Sequence, residues 1–175
     1  YKLCISKKVN NGYSVVWAGS GFGVQNTFRW EEEYQLFAQT TFKEGALVEA
    51  KTNVVDMVYG QHATITNNGR INTQPIQIPE GATFYIDNQY MPCYIGLNQK
   101  LNGVFAPAFL DQYLNIFGPS DITPLVTVMV FFSRTLETSS MFLNVSSSVC
   151  EIAYQGAVQK AVEYTDVKGN GNGMW

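Results

Sequence analysis

A chain of 175 residues with 46% hydrophobic and only 14% charged side chains can bury one sizeable core, and it has the opposite balance to a disordered segment. Its net charge of −3 rests on eleven scattered basic residues, so no phosphate-neutralising stripe exists and nucleic-acid binding is excluded. No apolar run reaches the ~18–20 residues of a membrane-spanning helix; the longest, Leu125 to Phe132, is interrupted by Thr127.

Taken in chain order, turn signals recur roughly every 8–12 residues, the spacing of short strands in a sandwich or barrel. The chain opens at Tyr1, as a processed or trimmed chain would, and Tyr1 to Lys8 alternates like a strand, with Lys7-Lys8 read as its solvated end. Asn10-Asn11-Gly12 precedes a strand over Tyr13 to Trp17, and Gly19-Ser20-Gly21 precedes one over Phe22 to Arg29. These glycines have neither the spacing nor the following helix of a dinucleotide loop, so they read as a hairpin. Glu31 to Leu36 reads as strand rather than a helical turn, with Glu31-Glu32-Glu33 as a solvated edge. Glu44-Gly45 precedes Ala46 to Ala50.

Asn67-Asn68-Gly69 joins His62–Thr66 to Arg70–Ile78 as a tight hairpin, because Asn-Gly tolerates positive φ. After Pro79-Glu80-Gly81, Thr83, Tyr85 and Asp87 fall on one strand face, and Phe84 and Ile86 on the other. Apolar residues on both faces of Leu125 to Phe132 predict a central strand covered on each side. One segment departs from this period. Phe109, Leu110, Tyr113 and Phe117 stand at helical spacing before Gly118-Pro119, which predicts a short helix over Pro107 to Ile116. The expected fold is therefore all-β: a single β-sandwich of about ten strands with one short helix, spanning residues 1–168. Residues 169–175 follow as a flexible glycine/asparagine tail, with Trp175 loose or docked.

Side chains for chemistry are few. His62 is the one histidine, and no nucleophile elbow accompanies it, so a serine or cysteine triad has no support. Cys4, Cys93 and Cys150 fit neither a zinc pattern nor a dense disulfide framework; they read as small buried hydrophobes, with one disulfide left open. Magnesium or calcium needs only oxygens, which Asp87-Asn88, Asp111, Asp121 or Glu31-Glu32-Glu33 could offer, though none has the spacing of a known loop. Asn144-Val145-Ser146 is a glycosylation acceptor pattern at Asn144.

The stronger signal is aromatic: ten Tyr, eleven Phe and three Trp. Most should be core. An aromatic face beside amides can also stack on a flat ligand or a sugar and hydrogen-bond its rim. Tyr85, Asn88, Tyr90, Tyr94, Asn98, Trp17 and Trp30 are the ligand-binding candidates on this ground. The expected function is non-enzymatic binding of a small-molecule ligand or a glycan. Soluble cytoplasmic and secreted locations are both open, as is a homo-oligomer.

Gly21 to Trp30, Tyr34-Gln35-Leu36-Phe37 and Gly60-Gln61, with Val128 to Ser133 and Glu137 to Met141 later, resemble a group of small fungal β-proteins. The neighbours this resemblance implies are actinoporin-like lectins and cytolysins, and coloured fruiting-body proteins of mushrooms that hold a small organic chromophore. The resemblance implies a chromophore-binding protein or a carbohydrate-binding lectin, the latter with membrane activity in some members. The chain departs from the cytolysins in lacking an N-terminal amphipathic helix and a proline-aromatic-aspartate motif.

Overall fold

The computed structural model describes residues 1–21, 23–75, 81–165 and 173–175. Among these the chain is all-β, with no helix and twelve strands. In chain order they are β1 (Lys2–Val9), β2 (Ala18–Gly21), β3 (Trp30–Gln39), β4 (Val55–Met57), β5 (His62–Ile65) and β6 (Ile71–Thr73). β7 (Phe84–Asn88), β8 (Tyr94–Leu101), β9 (Val104–Leu110), β10 (Gly118–Ile122), β11 (Pro124–Ser133) and β12 (Val149–Ala153) complete the set. They form three four-stranded sheets, ordered β12-β11-β1-β2, β10-β7-β5-β6 and β4-β3-β8-β9. All neighbours are antiparallel except β5 and β7.

The β3-β8 sheet packs one face on both other sheets. At one end Leu36, Ile95 and Leu97 meet Ile65, Phe84 and Ile86 of the β7 sheet. At the other, Trp17, Trp30 and Leu101 meet Ile5, Val128 and Val130 of the β1-β11 sheet. Each such buried side chain contributes on the order of 1.5–3 kcal/mol by leaving water. β11 is interior in its sheet, with Val128 and Val130 in that core and Met129 and Phe131 packed with Phe142 on the opposite face. The central strand read from its two apolar faces is thus present. So is the alternation of β7, where Phe84 and Ile86 are buried and Tyr85 and Asp87 are partly exposed. The Asn-Gly hairpin joins β5 to β6 with Gly69 at φ 77°.

The expected helix is replaced by β9 and an irregular loop. Phe109 and Leu110 are consecutive yet buried in different clusters, which requires a strand's alternation. Tyr113 and Phe117, the other half of the supposed stripe, are 82% and 65% exposed. Pro107 is tolerated because β9 is an edge strand whose register shifts there, opposite Asn98.

Three expected strands are also irregular. Residues 23–29 partly bury Asn26 and Phe28 and leave Val24 fully exposed, and no strand forms there, whereas Gly19-Ser20-Gly21 lies within β2. Tyr13 to Trp17 and Ala46 to Ala50 pair with residues 139–142 through isolated bridges and single hydrogen bonds, Val15 with Met141 and Leu47 with Ser140.

The cysteines are free; burial pushes the Cys4 and Cys93 thiols up to about 11. Residues 76–80 of the expected strand and turn, and 169–172 of the expected tail, lie outside the described residues. Trp175 is docked: its ring stacks on Phe132 at 5.2 Å and its Nε1 donates to Ser148 O at 3.2 Å.

Candidate functional site

The inward residues of β1 are Leu3, Ile5, Lys7 and Val9, since alternate side chains share a face. Ile5 lies in the Trp17 core and Val9 in the Phe84 core, so Lys7 is held between them with no accessible side-chain surface. The reading of Lys7 as a solvated strand end is therefore corrected. Only Lys8 points outward, to Glu151 Oε2 at 3.0 Å.

What meets Lys7 is set by a bulge. β3 and β8 pair Glu31 with Lys100 and then Tyr34 with Gln99, so Glu32 and Glu33 are two extra residues on β3. A bulge re-aims side chains, and here Glu32 Oε1 lies 3.5 Å from Lys7 Nζ. The acidic run is exposed, as expected, but it does not lie on a sheet edge: β3 is interior in its sheet, and Glu32 is an ion-pair partner. Tyr34 donates its hydroxyl to Glu32 Oε2, and Tyr59 donates to the same oxygen at 3.0 Å. The two hydroxyls are 3.2 Å apart. Tyr59 is positioned by stacking on Phe84 at 5.3 Å.

The electrostatics follow from burial. Lys7 Nζ makes no hydrogen bond among the described residues and lies 5.9 Å over the Trp30 ring. Burial lowers its pKa, and the Glu32 carboxylate opposes that. Burial, reinforced by the negative charge of Glu32, raises Tyr34 strongly and pushes Tyr59 up to about 12. Both phenols therefore stay protonated and serve as donors at neutral pH.

Above this cluster opens a recess of about 390 Å³. Tyr34, Tyr59 and Phe105 give it rings, and Glu32, Glu33 and Asp56 give it carboxylates. Glu33 is already matched by Lys100 at 3.3 Å, whose ammonium also lies 5.9 Å over the Phe105 ring. Asp56, by contrast, accepts from the neutral Gln35 amide at 3.0 Å, and no lysine or arginine pairs with it among the described residues. Such a lining suits a small ring-bearing molecule with hydrogen-bond donors or a positive group.

The seven candidate residues do not converge. Trp17 and Trp30 pack together at 5.8 Å behind the Lys7 cluster. Asn88 is buried and holds a loop, donating to Met91 O at 2.8 Å and Asn115 O at 3.2 Å while accepting from Tyr90 N. Tyr90 lies over Gly69, Tyr94 packs on Phe42 at 5.9 Å, and Asn98 donates to Gln35 at 3.3 Å. Tyr85 faces away from these, against His62 at 4.8 Å, in a second recess. Asn144 is exposed on the loop between β11 and β12. Among the described residues no three His, Cys, Asp or Glu side chains are grouped to hold a metal ion.

Lys7, Tyr34 and Tyr59 were not among the sequence candidates, and Glu32 was one only as a carboxylate for magnesium or calcium. The alternation Leu3-Ile5-Lys7-Val9 was the available signal for the first; a bulge leaves none for Glu32.

No protein-family model, curated protein or solved structure matches the chain significantly. The expected resemblance to small fungal β-proteins therefore assigns no residue to this site.

Proposed function

We propose that this protein is a non-enzymatic binder of a small, partly aromatic ligand, carried on packed sheets that we read as a single β-sandwich. The carrying observation is the recess over Glu32, where three rings and three carboxylates line about 390 Å³, within the range of small-molecule sites. The groups that could act as nucleophiles support holding over turnover. Lys7 is sealed from solvent, and the Cys4 and Cys93 thiols are pushed up to about 11, so thiolate is scarce at neutral pH. A pigment is one ligand of this class, in keeping with the coloured fungal proteins the chain resembles.

Two measurements test the reading. Protein purified from its source should carry a small molecule in native mass spectrometry, and a pigment would add a visible absorption band. Independently, 2-phenylethylammonium, a ring with a positive group, should quench the Trp fluorescence saturably, with the response lost in Tyr59→Ala and weakened in Asp56→Asn. Source protein without a ligand, together with non-saturable quenching, would overturn the proposal.

A further inference from the structure

The β10-β7-β5 sheet has one apolar face, where Ala63, Ile65, Phe84, Ile86 and Ile122 enter the core. The opposite face is organised in rungs. Parallel pairing sets His62 beside Tyr85 and Thr64 beside Asp87; antiparallel pairing sets Asp121 beside Tyr85 and Pro119 beside Asp87. Two adjacent rungs of three strands, His62-Tyr85-Asp121 and Thr64-Asp87-Pro119, therefore stand side by side. The rings of His62 and Tyr85 stack at 4.8 Å and 26°. Around them lies a recess of about 330 Å³, which Gln89 also lines. The Gln89 amide donates to Asp87 Oδ2 at 2.7 Å and so orients that carboxylate.

We infer that this face is a second binding site, separate from the recess over Glu32, and that its ligand is a neutral sugar ring. A pyranose has an apolar C–H face and a rim of hydroxyls. The first suits an outer ring face of the stacked Tyr85–His62 pair, and the second donates to Asp87 and Asp121 as charge-assisted hydrogen bonds. Thr64 and Gln89 add a hydroxyl and an amide beside them. Among the described residues no Lys or Arg lines the recess, so two carboxylates repel anions there. Phosphorylated sugars and sialic acids are thereby rejected. A flat apolar aromatic would leave both carboxylates desolvated without donors, which disfavours it here. Pairing across three strands sets the spacing of these side chains, so the site is formed before the ligand arrives.

The test is saturation-transfer NMR and calorimetry with methyl glycosides of glucose, galactose and mannose, N-acetylglucosamine, and N-acetylneuraminic acid. At least one neutral sugar should bind saturably and N-acetylneuraminic acid should not. Tyr85→Ala should weaken that binding about tenfold or more, a change of 1.4 kcal/mol or more. Asp121→Asn, which keeps the side chain's shape, should weaken it too. Tyr59→Ala, in the other recess, should leave it unchanged, so a failure of either site is read separately. An unchanged near-UV circular dichroism spectrum shows that each variant is folded. Absence of binding by every neutral sugar, binding restricted to the acidic sugar, or binding that survives both Tyr85→Ala and Asp121→Asn would overturn the inference.

Discussion

In the recess over β3, the wall is tied to the interior: Glu32 reaches down to a lysine with no accessible surface and up to two tyrosine hydroxyls. On the outer face of β7, Tyr85, Asp87 and Asp121 stand on a sheet whose other side is an ordinary apolar core. In the first region the surface is fastened to the fold by charge. In the second the fold supplies only spacing. Substitutions at the first should alter stability and binding together, whereas those at the second should alter binding alone.

The largest expected effect is an asymmetry within the buried pair. Glu32→Gln leaves a sealed ammonium without a counter-charge and should cost about 3–5 kcal/mol in urea unfolding. Lys7→Met leaves Glu32, whose side chain is 38% exposed, with water and two phenol donors, and should change stability by less than about 1 kcal/mol. Equal costs for the two variants would break the claim that Lys7 is the more desolvated partner. The pH dependence sharpens this. Loss of Glu32 removes what opposes the burial-driven lowering of the Lys7 pKa. The buried-charge penalty is then present below the folded-state pKa and relieved as pH rises toward the free value of about 10.4. Relative to the parent protein, Glu32→Gln should therefore regain stability on mild alkalinisation.

A smaller effect concerns Tyr59. Its folded-state pKa is raised to about 12, so its contribution is intact below the unfolded value near 10 and is lost as pH climbs toward 12. Phenolate absorbance should reveal this late ionisation, and Tyr59→Phe should abolish it. The same variant should cost about 1 kcal/mol at neutral pH, for one partly exposed hydrogen bond to a carboxylate. Ionisation at the free tyrosine value would contradict the burial of the Tyr59 hydroxyl beside Glu32.

The smallest effect lies on the other face. Asp121→Asn should shift stability by no more than about 0.5 kcal/mol, as surface substitutions do. A loss comparable to that of Glu32→Gln would show that the two regions are built alike after all.

Much of the fold was legible in the residues, because strand alternation and turn chemistry are local. Asn68-Gly69 announced its hairpin, Phe84 and Ile86 announced the buried face of β7, and the double apolar pattern of Leu125 to Phe132 announced a central strand. The helix reading failed at Phe109-Leu110 because two neighbouring apolar residues at a strand between two cores mimic part of a helical stripe. The binding candidates were chosen by type and nearness in sequence, and alternation alone sends Tyr85 and Asn88 to opposite faces of one strand.

By itself, then, the sequence determined the all-β class, most of the strand faces and the scarcity of reactive side chains, since each follows from period, turn type or composition. Only the tertiary structure decided that Lys7 is sealed between two cores, that a two-residue bulge brings Glu32 to it, and that His62, Tyr85 and Asp121 share one rung. Those outcomes depend on inter-strand register. Register is a relation between segments distant along the chain, so alternation could place Lys7 on the inward face of β1 but could not name what meets it there.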